Sequence, residues 1–115
     1  MTDDCIFCSI VGRRRPAAIV YQDEAVTAFR DLNPKAPVHV LLVPNRHIAG
    51  ASQMVPEDAE TVGRLFLAAK QVAATEGLEA GGYRLVVNSG ADAGQSVFHL
   101  HLHLLGGRRM GWPPG

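Results

Sequence analysis

The stretch Phe98-His99-Leu100-His101-Leu102-His103-Leu104-Leu105 sets a histidine against an apolar residue at every second position until its last two leucines. A strand turns successive side chains to opposite faces, so the pattern predicts three imidazoles on one face, about 6.5–7 Å apart along the chain. Phe98, Leu100, Leu102 and Leu104 then fall on the other face and anchor it in a core. A helix would scatter the same rings, so strand and cluster imply each other. A single histidine among apolar neighbours is ordinarily a satisfied core or surface residue. Three of the chain's five on one strand face answer no packing need. Two chemistries remain: a catalytic metal held by alternating imidazoles, or one neutral imidazole acting as nucleophile beside others that handle phosphate charge.

The loop before this strand favours the second. Gly94-Gln95-Ser96 brings a glycine, an amide and a hydroxyl to the edge of the histidine face, the makings of an anion cradle. Asn88, ending the previous strand, is a further donor, and no carboxylate lies inside the histidine run to complete a common metal set.

Working outward, Val97 to Leu105 reads as the last strand, stopped by Gly106-Gly107, and Tyr83 to Asn88 as the one before it. Ala18–Tyr21 and Val26–Arg30 read as a hairpin turning at Asp23-Glu24. Val38–Val43, almost continuously β-branched or leucine, has the composition of a central strand covered on both faces, with His39 its one polar member. Pro56-Glu57-Asp58 opens a helix, since proline suits a first turn and acids favour the positive end. Val62, Leu65, Phe66, Ala69, Val72 and Ala73 form its apolar stripe, and Gly77 stops it. Cys5–Gly12 reads as a short helical turn whose apolar side is Ile6, Phe7, Ile10 and Val11. The sum is an α+β domain occupying residues 1–115: an antiparallel sheet, one long helix and a short N-terminal helix.

Composition narrows the partners. The chain has 115 residues, 47% of them apolar and 19% charged, and eleven basic side chains balance eleven acidic ones. Zero net charge lacks the footprint expected for nucleic acid or anionic lipid, so a phosphate-bearing partner must be small and held locally. Arg13-Arg14-Arg15, the one basic run, reads as a solvated loop. No apolar stretch approaches the ~20 residues of a membrane span, and the acidic start Met1-Thr2-Asp3-Asp4 is no signal peptide. A cytoplasmic, reducing setting is expected, with Cys5 and Cys8 too close in sequence to staple distant parts of a fold.

His99-Leu100-His101-Leu102-His103-Leu104-Leu105 resembles the signature of the histidine triad family, in which histidines alternate with apolar residues. The resemblance extends to Gly94-Gln95-Ser96-Val97-Phe98, Asp31-Leu32-Asn33-Pro34 and Leu105-Gly106-Gly107. The ending Trp112-Pro113-Pro114-Gly115 is similar to the Hint branch in particular. It implies a HIT-like fold with a five-stranded sheet and a homodimer with a purine nucleotide site on each protomer. The activity implied is hydrolysis of nucleoside phosphoramidates and aminoacyl-adenylates, releasing AMP, with no catalytic metal required. Position by position, it implies His101 as the nucleophile, His39 as a support for it, and His103, Asn88, Gly94, Gln95 and Ser96 around the α-phosphate. Ser96 is also implied in protonating the leaving nitrogen. Asp31 falls where the family binds the ribose hydroxyls, Leu32 where it lines the nucleoside pocket, and Trp112 near the site across the dimer. Each has a plainer reading: Asp31 a loop cap, Asn88 a turn residue, His39 a core histidine, Trp112 a packed tail. Other branches of the family imply dinucleoside polyphosphate hydrolysis or nucleotidyl transfer, and a binding scaffold without catalysis is the third reading.

Cys5-Ile6-Phe7-Cys8 has the short spacing at which two thiolates share one metal. Some family members carry this pair and complete the set with histidines, which implies a structural zinc held by Cys5, Cys8, His47 and His99. The plain alternative is two buried cysteines acting as small hydrophobes. A redox pair would want a thioredoxin-like βαβ context, which is missing here.

Overall fold

The structure, a computed structural model, describes residues 5–115. The Met1–Asp4 start, read above as no signal peptide, lies outside them. Five strands, β1 (Ile19–Gln22), β2 (Val26–Arg30), β3 (Val38–Pro44), β4 (Tyr83–Val86) and β5 (Leu102–Gly106), form one antiparallel sheet in the order β1-β2-β3-β5-β4. The apolar run Val38–Val43 takes the middle position, as its composition predicts, and β3 is buried from His39 to Pro44.

The two faces of the sheet are covered differently. On one, Val26, Ala28, Val40, Leu42, Leu102 and Leu104 pack against α2 (Ala59–Thr75). Removing a leucine-sized side chain from water stabilises by roughly 1.5–3 kcal/mol, so this face carries most of the apolar stabilisation. On the other, Phe29, Leu41 and Val43 meet Phe7 and Ile10 of α1 (Ile6–Val11), the one short helix that covers this face among the described residues.

The buried line of α2 is Leu65, Ala68, Ala69, Val72 and Ala73. Phe66, expected on the stripe, is 47% exposed. Three alanines let the helix lie close to the sheet, and Phe66, about 100° around the axis from Leu65, is left outside that narrow contact. Pro56–Asp58 forms a 3-10 turn ahead of the helix, and the buried Asp58 accepts a hydrogen bond from the Val55 N–H (2.9 Å) and pairs with Arg46. Gly77 (φ 75°) ends the helix as expected: its N–H reaches the Ala74 carbonyl and that of Leu78 the Ala73 carbonyl.

The last strand corrects the sequence reading. Its ladder begins at Leu102, not Val97, because the Leu100 N–H bonds to the Ile48 carbonyl (2.6 Å) and the chain bends through 97–99. Phe98 is 61% exposed and anchors nothing, whereas Leu100, Leu102 and Leu104 are buried as predicted. The strand before it also stops short, at Val86 rather than Asn88. Gly106 belongs to β5; a Cβ there would stand 2.7 Å from Leu78 Cδ1, so the helix exit passes directly over it. Among the described residues no helix is long and apolar enough to cross a membrane.

Candidate active site

Register places the chemistry. Phe29 of β2 is paired with Leu41 of β3, and Leu41 with His103 of β5, so the three side chains form a row across the α1 face. His101 precedes β5 on the same side, its ring 5.1 Å from that of His103 and 5.2 Å, edge to face, from Phe7. Between this row and α1 opens a cavity of about 310 Å³ whose polar lining includes His101, His103, Ser96 and Asp31, with the exposed Leu32 at its border. Ile6, Phe7, Ile10 and Phe29 form its apolar wall. All three triad rings sit on the α1 side, but they serve two places. His101 and His103 face the cavity, while His99 is fully buried and turns toward the cysteines.

The hydrogen bonds fix which nitrogen of each ring carries a proton. His101 Nδ1 lies 2.6 Å from the His99 carbonyl, which can only accept. His101 is therefore protonated on Nδ1, and when neutral its Nε2 holds a free lone pair. The Lys35 N–H donates to His39 Nδ1 (3.0 Å), so His39 carries its proton on Nε2 and donates to His103 Nδ1 at 2.9 Å. His103 in turn presents an Nε2–H. His101 thus offers a lone pair and His103 a hydrogen-bond donor. His39 supports His103, with which it bonds, rather than touching His101.

Burial keeps this chain neutral. It lowers His39 below the ordinary histidine value, against the opposing pull of Asp31, whose Oδ2 is 3.4 Å from His39 Nε2. It lowers His103 further, to about 4, helped by the neighbouring His101 and His39 rings.

Other predicted residues are distributed unevenly. Asp31 lines the cavity and also closes its own loop by accepting the Asn33 N–H (2.8 Å), so its functional and plain readings coexist. Ser96 is exposed in the wall, at the end of a turn containing Gly94 (φ 84°). Gln95 does not face the cavity. Its carbonyl accepts the Gly90 N–H and its amide donates to the Ala49 and Val97 carbonyls, so it staples the loop that presents Ser96. Asn88 and Gly94 lie off the lining, and Trp112 is 82% exposed at the β4 edge, with the Arg84 guanidinium 5.9 Å over its ring. The sequence reading missed the apolar wall as part of the site. Periodicity marks Ile6, Phe7 and Ile10 only as the apolar side of α1, and Phe29 only as a strand residue. The signal was there in an aromatic lying between the two cysteines.

Cys5, Cys8, His47 and His99 converge behind the cavity, with ligand atoms all within 4.8 Å of one another. His99 Nδ1 is 3.3 and 3.5 Å from the two sulfurs and 3.2 Å from His47 Nδ1, while Cys8 Sγ is 3.4 Å from His47 Nδ1. Ligands ~2.0–2.3 Å from one tetrahedral ion stand ~3.3–3.8 Å apart, so these four distances are close to edges of a zinc tetrahedron. His99 donates its Nε2–H to the Pro44 carbonyl (2.8 Å), which leaves Nδ1 as a lone pair in the cluster. Burial, with the neighbouring Cys5, pushes the Cys8 thiol up to about 11, a cost that a bound cation would reverse.

A HIT domain pattern matches residues 13–110 of the chain. Over the full length of both, the chain is 54% identical to an uncharacterized HIT-like protein of Synechocystis sp.. A HIT family hydrolase from Legionella pneumophila has a structure superposing at TM-score 0.96 with 46% identity, covering 97% of this chain and 100% of that one. The histidine triad nucleotide-binding protein of Candida albicans superposes at 0.82 with 29% identity, covering 96% and 83%.

The proton assignments have a direct consequence. Unfolded histidine takes a proton below ~6.5, whereas native His103 resists until about 4, so stability is full above the first value and falls as pH drops toward the second. Imidazole NMR at pH ~5.5 is expected to find His103 neutral and protonated on Nε2. The urea midpoint should fall from pH ~7 to ~5, less steeply in His103→Asn. A charged His103 at that pH, or the opposite tautomer, contradicts the hydrogen-bond chain.

Proposed function

The chain belongs to the HIT domain family, and we propose that it is a nucleotide hydrolase of the Hint type, cleaving nucleoside 5'-phosphoramidates and aminoacyl-adenylates at the α-phosphate. The observation that carries this reading is the His101 Nδ1 to His99 carbonyl bond, which leaves Nε2 as a lone pair beside a cavity lined by a donor, a hydroxyl and a carboxylate. The names of the Legionella hydrolase and the Candida nucleotide-binding protein agree with it.

In this mechanism Nε2 of His101 attacks phosphorus and forms a P–N bond as the bond to the leaving nitrogen or carboxylate breaks. The positive charge that develops on the ring is stabilised through Nδ1–H by the His99 carbonyl. His103 donates its Nε2–H to a phosphate oxygen, where charge grows in the transition state. A departing amine takes a proton relayed from solvent through Ser96. Asp31 accepts from the ribose hydroxyls. Water then attacks phosphorus, AMP leaves, and His101 returns to its starting state. Asn88 and the Gly94 backbone, which do not line the cavity, have no assigned step, and Gln95 acts by holding the loop that carries Ser96.

His101→Ala is expected to lower turnover of an adenosine phosphoramidate by ~1000-fold or more while AMP still binds. Undiminished turnover contradicts the nucleophile. Faster cleavage of a diadenosine polyphosphate by the intact protein would favour another branch of the family, and AMP binding without any cleavage a scaffold.

The same reading assigns Cys5, Cys8, His47 and His99 to a structural zinc, which when bound ties α1 to the segment carrying His101. A homodimer joined along the β4 edge, bringing Trp112 toward the neighbouring site, completes the proposal. Freshly purified protein should contain about one zinc per chain, and Cys5→Ser or Cys8→Ser should lose it and lower the melting temperature by ~10 °C or more. Metal-free fresh protein with unchanged stability contradicts the assignment.

A further inference from the structure

Three consecutive arginines follow α1, and the fold sends them three ways. Arg13 adopts φ 57°, a left-handed conformation uncommon for a side-chain-bearing residue, and turns the chain out of the helix. Its guanidinium bonds to Gln22 Oε1 at 2.7 and 3.0 Å. Arg14 folds back over Gly12. Arg15, whose backbone is tethered to the Ser9 carbonyl (3.3 Å), is exposed and lines the cavity. The solvated-loop reading holds for all three, and Arg15 alone of them also borders the cavity. Arg30 also borders the cavity, but its guanidinium pairs with Glu76 at the end of α2, on the opposite face.

The cross-sheet row tells which part of a ligand Arg15 meets. Neighbouring strands are ~4.8 Å apart, so the row from His103 through Leu41 to Phe29 spans about 10 Å. Phosphate at the histidine end places the sugar over β3 and the base over β2, against Phe29, Ile6 and Ile10. Residues 15–17 lie beyond, where the chain enters β1 alongside β2: the Arg30 N–H donates to the Ala18 carbonyl (3.0 Å). Arg15 therefore stands at the base end, a strand or more away from the leaving group.

Accepting the nucleotide-site reading, we infer that Arg15 is a specificity-determining residue that selects a purine presenting two acceptors on its N7 edge, guanine or hypoxanthine over adenine. A guanidinium offers paired N–H donors in a fixed fork. Guanine and hypoxanthine meet it with N7 and O6, whereas adenine sets a donor, its amino group, against one arm. The rest of the base wall is apolar and reads only shape.

Calorimetric titration with GMP, IMP and AMP tests this without requiring turnover. The intact protein should bind GMP and IMP about tenfold more tightly than AMP, and Arg15→Ala should bring the three affinities together. Arg15→Gln, which keeps bulk and polarity without the fork, should do the same. A guanine-to-adenine ratio equal in all three proteins, or tighter AMP binding by the intact protein, overturns the inference while leaving the nucleotide site standing. Failure of all three nucleotides to bind overturns both.

Discussion

A carbonyl group two residues away decides what His101 can do. The His99 C=O lies 2.6 Å from Nδ1 of His101, and a carbonyl can only accept, so the ring is held in the tautomer that leaves Nε2 bare. An imidazole left to itself would exchange tautomers and rotate. This one is locked by backbone, packed edge to face on Phe7, and almost fully buried. The other features of the site work with that lock: His103 presents a donor beside it, the cavity gives it a ligand space, and the cluster around His99 restrains the carbonyl that makes it.

The lock in turn depends on unequal covering of the sheet. The α2 face is a continuous apolar core, and it holds Leu100, Leu102 and Leu104, which space the intervening histidines on the other side. Among the described residues the α1 face has only a six-residue helix above it, and a cavity opens beside that helix. His99 is anchored at both nitrogens, by the Pro44 carbonyl and by the Cys5–Cys8–His47 cluster, and so its own carbonyl has little freedom. Stability on one face and chemistry on the other come from the same alternation of side chains.

That alternation is why so much was legible in the sequence. Period-two patterning survives from Leu100 to Leu104 even though the hydrogen-bonded ladder starts only at Leu102. The central strand and both ends of the long helix were readable because composition, Pro56 and Gly77 each act locally. What failed depended on long-range geometry. Phe98 and Phe66 are apolar and correctly phased, yet the backbone bend at 97–99 and the closeness of α2 leave them outside. The residue type of Gln95 suits a phosphate donor, but three loop partners occupy its side chain. The cavity wall and the separate course of Arg15 follow from how α1 docks, and no local pattern encodes that.

The most direct measurement of the central claim is mass spectrometry of protein quenched within milliseconds of mixing with an adenosine phosphoramidate. The account predicts an adduct of AMP mass on the peptide containing His101, located at that residue and absent from His101→Ala. Turnover accompanied by no adduct, or an adduct on another side chain, would contradict it.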